Sequence, residues 1–333
     1  MTRLMRTGKP WVRAGLVPVG AGVVYALVTR GVFGSARLSD MFATLSVGFL
    51  VFTPLALGLL TVLLAPPALG RRLRFAVAAP VAGCLLFMAL VLAAHWEAPV
   101  SLAMALPIFL AAAGGGGGLA WALRLALGRL WRGATLGVLS LVLAAPYIVT
   151  PLENARPPAD SIRTNTAQLA IQAPPSEVWG IITHFHLIQP EEQQFSWFHL
   201  AGLPRPLEAT LSAEGVGGIR HGQWEGGLAF NEVITDWEVE RGFTMQLEAD
   251  TSQVTDSALP LGGIGGPYFA VLSARYELDV LAPDHVVLRL ITVHRLSTNF
   301  NAYGGLLTDF FMRDLSSYLL HIVKNRSEAA GAG

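Results

Sequence analysis

Two side chains carry the clearest chemical potential in the sequence: Glu232, within Leu228–Glu238, and His294, within His285–Leu296. Both segments alternate apolar and polar residues with the period of two that sends successive side chains to opposite faces of a strand. Glu232 shares a face with Leu228, Phe230 and Ile234, and His294 shares one with Val286, Leu288, Leu290, Thr292 and Leu296. An acid and an imidazole facing one apolar interior are what proton transfer in an aldol-type cyclisation and dehydration requires. The same two residues equally suit a polar pair satisfied within a core, or strand-end groups reaching water. A slip of one residue would reverse the faces.

Other polar groups point to weaker chemistry. His184 and His186 have strand-like spacing, but a metal would need more ligands, and His199 and His221 are the only histidines nearby. The single cysteine, Cys84, excludes a multi-cysteine zinc site and an intrachain disulfide. No metal and no cofactor are expected. Asp314, Tyr318 and His321 flank the apolar face of a C-terminal helix, either at a cavity mouth or along a solvated edge.

The elements that must position these groups fill the second half of the chain. Thr166–Ala173 alternates as a half-buried strand. A short helix follows the Ala173-Pro-Pro-Ser176 start, and residues 184–204 include a second one. Strands are expected at Leu207–Ser212, Ile219–Trp224, Leu228–Glu238, Phe243–Glu248, Ala270–Val280 and His285–Leu296, joined by hairpins. A helix over Tyr303–Asn325 puts Leu307, Phe311, Leu315, Tyr318 and Ile322 on one face. The class is α+β. Alternation sends Phe243, Met245 and Leu247, then Ala274, Tyr276, Leu278 and Val280, to the inside.

This order resembles the START/Bet v1-like (SRPBCC) superfamily, the helix-grip fold, and within it the polyketide cyclase/dehydrase-type branch. The resemblance rests on Ile171-Gln-Ala-Pro-Pro-Ser-Glu-Val-Trp179, Gly215-Val-Gly-Gly-Ile-Arg220, Gly227–Glu238 with Arg241, and Tyr303–Phe310, and spans 164–326. It implies an antiparallel sheet wrapped on the C-terminal helix around an apolar cavity for a lipid or other hydrophobic small molecule. The cavity lining expected here is Phe230, Glu232, Ile234, Phe243, Met245, Tyr276, Leu278, Leu288, Leu290, Thr292 and His294, with Leu307, Phe311 and Tyr318 from the helix. No catalytic set is common to the superfamily, so Glu232 and His294 stay candidates. The loop Ala249–Pro267 is long, apolar and glycine-rich, and Leu259, Leu261 and Ile264 are expected to form a lid that touches a bilayer.

The first half is of another kind. The chain has 333 residues, no formal net charge, 53% hydrophobic and 14% charged residues, and a mean hydropathy of +0.50. Soluble domains carry about 25% charged residues. The zero is a cancellation: residues 1–150 hold 12 Lys+Arg and only Asp40 and Glu97, whereas 151–333 hold 11 Lys+Arg and 21 acids. That pattern excludes a wholly soluble enzyme and a nucleic-acid binder. Five apolar stretches are expected to span a membrane: Ala14–Thr29, Met41–Ala65, Phe75–Ala94, Pro99–Leu123 and Gly133–Thr150. The glycines 114–118 either break the fourth or allow close helix approach.

Arginines cluster before the first stretch (Arg3, Arg6, Arg13), after the second (Arg71, Arg72, Arg74) and after the fourth (Arg124, Arg129, Arg132). The positive-inside rule then places the N-terminus in the cytoplasm and residues 151–333 outside a bacterial plasma membrane. The basic start, apolar core and Gly34-Ser35-Ala36 also fit a cleaved secretory signal. The stretch interiors lack charged residues and histidine, which favours anchoring over transport.

The organisation expected is an all-α transmembrane bundle (1–150), a linker (151–163), the helix-grip domain (164–326) and a tail (327–333). The function expected is membrane-anchored binding of a hydrophobic small molecule or lipid. A cyclase/dehydrase-like enzyme and a ligand-free scaffold are the alternatives. The bilayer is a partner, as is a second copy through the membrane helices, and nucleic acid is not.

Overall fold

The computed structural model describes residues 10–38, 41, 44–97, 99–127, 131–156, 158–254 and 264–330. They form two compact units that divide between residues 157 and 158.

The first unit contains α1 (Pro10–Phe33), α2 (Thr53–Leu63), α3 (Pro67–Gly70), α4 (Leu73–Ala93), α5 (Pro99–Leu127) and α6 (Trp131–Asn154). Four segments are long and apolar enough to cross a membrane: Gly15–Phe33, Leu73–Ala93, Pro99–Ala126 and Gly137–Asn154. The second expected stretch, Met41–Ala65, is helical over a shorter length. A π-helical turn at Gly48–Phe52 runs directly into α2, giving a helix from Gly48 to Leu63. At about 1.5 Å per residue it is about 24 Å long, against a hydrocarbon core of about 30 Å. Nearly every residue of α2 is buried among its neighbours.

Charged side chains close both ends of this helix. Glu153 accepts from the N–H of Val47 (2.7 Å) and the N–H of Gly48. Arg124 Nη2 donates to the carbonyls of Leu63 (2.7 Å) and Ala65 (2.6 Å). Helix termini leave just these backbone groups without partners, and the charges have the signs that the helix dipole favours.

The glycines at 114–118 do not break α5, which is continuous from Pro99 to Leu127. A Cβ on Gly116 would collide with the carbonyl of Leu55, and one on Gly117 with the carbonyl of Ala76. Gly58 meets the Ala113 carbonyl in the same way. The run therefore lets α5 lie backbone to backbone against α2 on one side and α4 on the other.

Polar contacts also fix the helix directions. Arg30, late in α1, pairs with Glu97 (2.8 Å) beyond α4, and Asn154, ending α6, donates to the Met41 carbonyl (3.0 Å) ahead of α2. At the opposite end Trp121, late in α5, donates to the Arg71 carbonyl (3.0 Å) beside the Arg124 contacts. So α1, α2, α4, α5 and α6 run alternately up and down.

The second unit contains β1 (Ser161–Ile171), α7 (Pro175–Thr183), α8 (Trp197–Leu200), β2 (Pro206–Leu211), β3 (Ile219–Trp224), β4 (Ala229–Glu238), β5 (Gly242–Asp250), β6 (Phe269–Ala282), β7 (His285–Leu296) and α9 (Asn301–Ala330). The seven strands form one sheet in the order β1-β7-β6-β5-β4-β3-β2, antiparallel throughout. β1 joins the last strand, so the sheet curls from β7 both to the chain's earliest strand and to the β2–β6 meander. The inner face packs on α7 and α9 in one core that includes Trp179, Phe243, Tyr276, Leu288, Tyr318 and Ile322.

Period-two alternation in β7 is complete: Val286, Leu288, Leu290, Thr292, His294 and Leu296 are all buried. Val280 departs from expectation and is exposed at the end of the β6–β7 pairing, although it lies opposite the buried Val286. β1 starts at Ser161, ahead of the expected Thr166, because its first inward positions carry Arg163 and Asn165 in place of apolar residues. Of the expected lid, Leu259 and Leu261 lie outside the described residues, and Ile264 bridges to Phe269 and packs near Leu228 and Phe230.

Candidate functional site

The inner face of the second unit collects the expected lining. Phe230, Glu232 and Ile234 from β4, Phe243 and Met245 from β5, Tyr276 and Leu278 from β6, and Leu288, Leu290, Thr292 and His294 from β7 are all buried. On α9, Tyr318 is buried, and Leu307 and Phe311 are half-buried. Within this apolar wall stand two polar clusters.

The first cluster lies on the middle strands. Arg220 of β3 and Glu232 of β4 are direct cross-strand partners and form a fully buried ion pair. Arg220 also approaches the Met245 sulfur at 3.9 Å. Gly222, next inward on β3, leaves room for the carboxylate: a Cβ there would sit 3.0 Å from Glu232 Oε1. Burial lifts the Glu232 carboxyl above the usual carboxylate range, while Arg220 pulls it back. Burial also raises the Tyr276 phenol beside them.

The second cluster joins the sheet edge to α9. Arg163 of β1 lies opposite His294 of β7 and grips Asp309 of α9 through two nitrogens, Nε at 2.8 Å. Asn165 donates to the same carboxylate at 3.3 Å. His294 Nε2 lies 3.2 Å from the Thr308 hydroxyl and 3.8 Å from Asp309, with the Phe269 ring 5.5 Å away. The Arg163 bond holds the Asp309 carboxyl below its usual range. Burial holds the His294 imidazole below its own range; Asp309 opposes this and Arg163 adds to it. His294 is thus neutral near pH 7. Gly305 makes this possible, since a Cβ there would press on the Arg163 guanidinium at 2.7 Å.

Glu232 and His294 are not brought together. They stand on β4 and β7, with β5 and β6 between them, and each is locked to its own partners. Sequence reasoning missed Arg163, Asn165 and Asp309, and it assigned Arg220 no role. The available signals were inward-phase polar residues early in β1 and an acid at helical spacing with Gly305 and Met312. Of the helix-edge group, Asp314 accepts from the Ser196 hydroxyl (2.5 Å) and the Phe198 N–H (2.9 Å), so it fastens α8 to α9. Tyr318 turns inward against the His199 ring, and His321 is exposed and bonds to its own helix at Ser317.

His184 and His186 line a shallow cleft of about 280 Å³ with Glu177 and Arg326. Arg326 is held there by Glu192 and by the carbonyls of His186 and Leu187. No group of three metal-ligating side chains occurs among the described residues.

Besides both His199 ring nitrogens and Arg295 Nε, four buried polar atoms of the second unit, on the faces of the sheet and α9, have no hydrogen-bond partner among the described residues: Thr292 Oγ1, His294 Nδ1, Arg220 Nε and Tyr318 Oη. Two are donors or acceptors by rotation, one is a fixed donor, and His294 Nδ1 takes either role by tautomer.

No protein-family model matches the chain, and no curated protein matches it. Solved structures do. A point mutant of norcoclaurine synthase from Thalictrum flavum is 12% identical, covering 52% of this chain and 98% of its own, with a TM-score of 0.32. A START superfamily protein from Mycobacterium smegmatis is 11% identical, covering 50% of this chain and 98% of its own, with a TM-score of 0.35. A protein from Nitrosomonas europaea is 12% identical, covering 51% and 97%, with a TM-score of 0.31. The grip-like arrangement of residues 158–254 and 264–330 rests on the strand order and on α9 packing against the sheet's inner face.

Proposed function

We propose that the second unit binds a hydrophobic molecule bearing polar groups, a lipid or similar small molecule, between the sheet and α9. The observation that carries this is the set of four unpartnered polar atoms on otherwise apolar inward faces. Buried polar groups are costly without hydrogen bonds, so such atoms call for a partner that enters the interior. The helical unit holds this domain at a membrane, where apolar ligands partition.

The orientation follows from charge and helix direction together. The segments carrying Arg71, Arg72, Arg74 and Arg124 share one end of the bundle, and α6 ends at the other. With the basic end cytoplasmic, the second unit is extracytoplasmic. The short α2 makes its crossing inside the bundle, with its ends closed by Glu153 and Arg124.

Binding is favoured over a cyclase/dehydrase-like reaction because two strands stand between Glu232 and His294 and each is engaged elsewhere. The test is native mass spectrometry of the full chain, purified in detergent and offered a lipid extract. A retained apolar ligand, weakened by His294→Ala, is the expected result. Repeated absence of any retained mass overturns the reading in favour of a scaffold. A chemically altered product, lost in the same variant, overturns it in favour of an enzyme.

A further inference from the structure

We propose that the rim formed by α8 and the first third of α9 is a docking surface for the lipid bilayer itself. Five large apolar side chains stand exposed there: Phe195 (71% exposed), Trp197 (52%), Leu200 (66%), Leu306 (70%) and Phe310 (48%). Ring contacts order two parts of this rim, one ahead of and within α8 and one running from α9 to the buried Phe198 of α8. Phe195 packs edge-on to Trp197 at 5.2 Å, Phe310 meets Phe311 at 5.4 Å, and Phe311 reaches Phe198 at 6.5 Å. The Asp314 bonds to Ser196 and Phe198 lock α8 onto α9, so the patch is held as a unit. Large apolar side chains exposed together on two elements locked to each other mark an interaction site.

The composition and position favour lipid as the occupant. Trp with Phe and Leu is the side-chain set that settles at the membrane–water interface. Leu306, Phe310 and Arg313 follow one another at i, i+4 and i+7, one stripe of α9. Arg313 is exposed and makes no ion pair among the described residues, so its guanidinium is available to a lipid phosphate while its stem lies along the apolar stripe.

The Ala159 carbonyl accepts from Asn301 Nδ2 (2.8 Å), and Asp160 accepts from Ser297 (2.5 Å), which pins the incoming chain beside the start of α9. Leu306 and Phe310 follow Asn301 by five and nine residues, about 8 and 14 Å along the helix. The apolar residues of the far turns, Val239 and Leu281, are about as exposed but lie at the other end of the strands.

This inference rests on the membrane reading of the first unit. The experiment uses the full chain with Cys84→Ala, reconstituted in nanodiscs of phosphatidylcholine and phosphatidylglycerol. An environment-sensitive fluorophore is placed singly at Phe195→Cys, Leu306→Cys, Val239→Cys or Leu141→Cys, and emission is compared with acyl-brominated and unbrominated lipids. Leu141, exposed on α6, reports insertion of the helices.

The expected result is quenching by brominated lipid at positions 141, 195 and 306, with position 239 unchanged. Quenching at 141 with none at 195 and 306 overturns the docking surface and leaves the membrane reading standing. No quenching at 141 overturns both. A blue shift at 195 or 306 that grows with protein concentration in detergent, without bromine quenching in nanodiscs, overturns the proposal in favour of a second copy of the chain.

Discussion

The two units differ in what their most central charges meet. In the helical unit, Arg124 and Glu153 spend their charge on backbone: carbonyls at one end of α2, N–H groups at the other. In the grip domain, Arg220 pairs with Glu232 and Arg163 with Asp309, side chain to side chain, inside the curl of the sheet. Helices placed in an apolar medium need their termini closed, since no water is present to do it. Sheet ladders satisfy their own backbone, so inward ions there must satisfy one another. In the grip domain that leaves atoms over on the inward faces, such as Arg220 Nε and His294 Nδ1, which make its interior a candidate site.

The largest effect tests the side-chain pair. Glu232→Ala leaves Arg220 buried without its counter-charge, and breaking such a pair costs about 3–5 kcal/mol. Replacing both members, Arg220→Met with Glu232→Leu, restores most of that stability while removing the polar atoms. Denaturant unfolding followed by near-UV circular dichroism measures both. A Glu232→Ala variant as stable as the parent would mean that the pair is not buried as described.

A smaller effect tests the helical unit, where backbones themselves touch. Gly117→Ala drives a methyl group into the Ala76 carbonyl and must push α5 from α4, at about 1–3 kcal/mol. Gly118→Ala meets nothing within 4 Å and should stabilise α5 by about 0.5–1 kcal/mol through helix propensity. Thermal unfolding in detergent should separate two neighbouring glycines of one run in opposite directions. Equal shifts would remove the close approach as the reason for the glycines.

Much of the fold was legible because periodicity is a strong signal where one face is buried. His285–Leu296 reads as a strand to the residue, and the inward set in β4, β5 and β7 follows from alternation alone. The misreadings came where polar residues occupy inward positions or where register shifts. Arg163 and Asn165 disguised the start of β1, and Val280 lies in the expected register but at a strand end that nothing covers. The length of α2 was hidden because hydropathy continues through Met41–Ala65 although the helix does not. For the candidate site, Glu232 and His294 were visible as inward polar residues. Their partners were not, because Arg220, Asp309 and Arg163 are brought to them by pairing and packing that local sequence does not encode.

The smallest effect sharpens the comparison by pH. His294 is neutral in the fold because burial lowers its pKa, whereas in the unfolded chain a histidine takes up a proton near pH 6.5. Below that pH the unfolded state binds more protons than the folded one, so stability falls as pH falls. The contribution of His294 is complete above about pH 6.5 and is lost progressively toward its lowered folded value, with a slope of at most about 1.4 kcal/mol per pH unit. His199, also lowered chiefly by burial, adds to the same window. Asp309, held low by Arg163, acts only at more acid pH, below the ordinary carboxylate range near 4. Melting temperatures at pH 7.5, 6.5 and 5.5 should fall for the parent and fall less for His294→Gln, which keeps a polar side chain but cannot titrate. Identical slopes would mean that His294 binds its proton equally well folded and unfolded, so that burial does not hold it neutral.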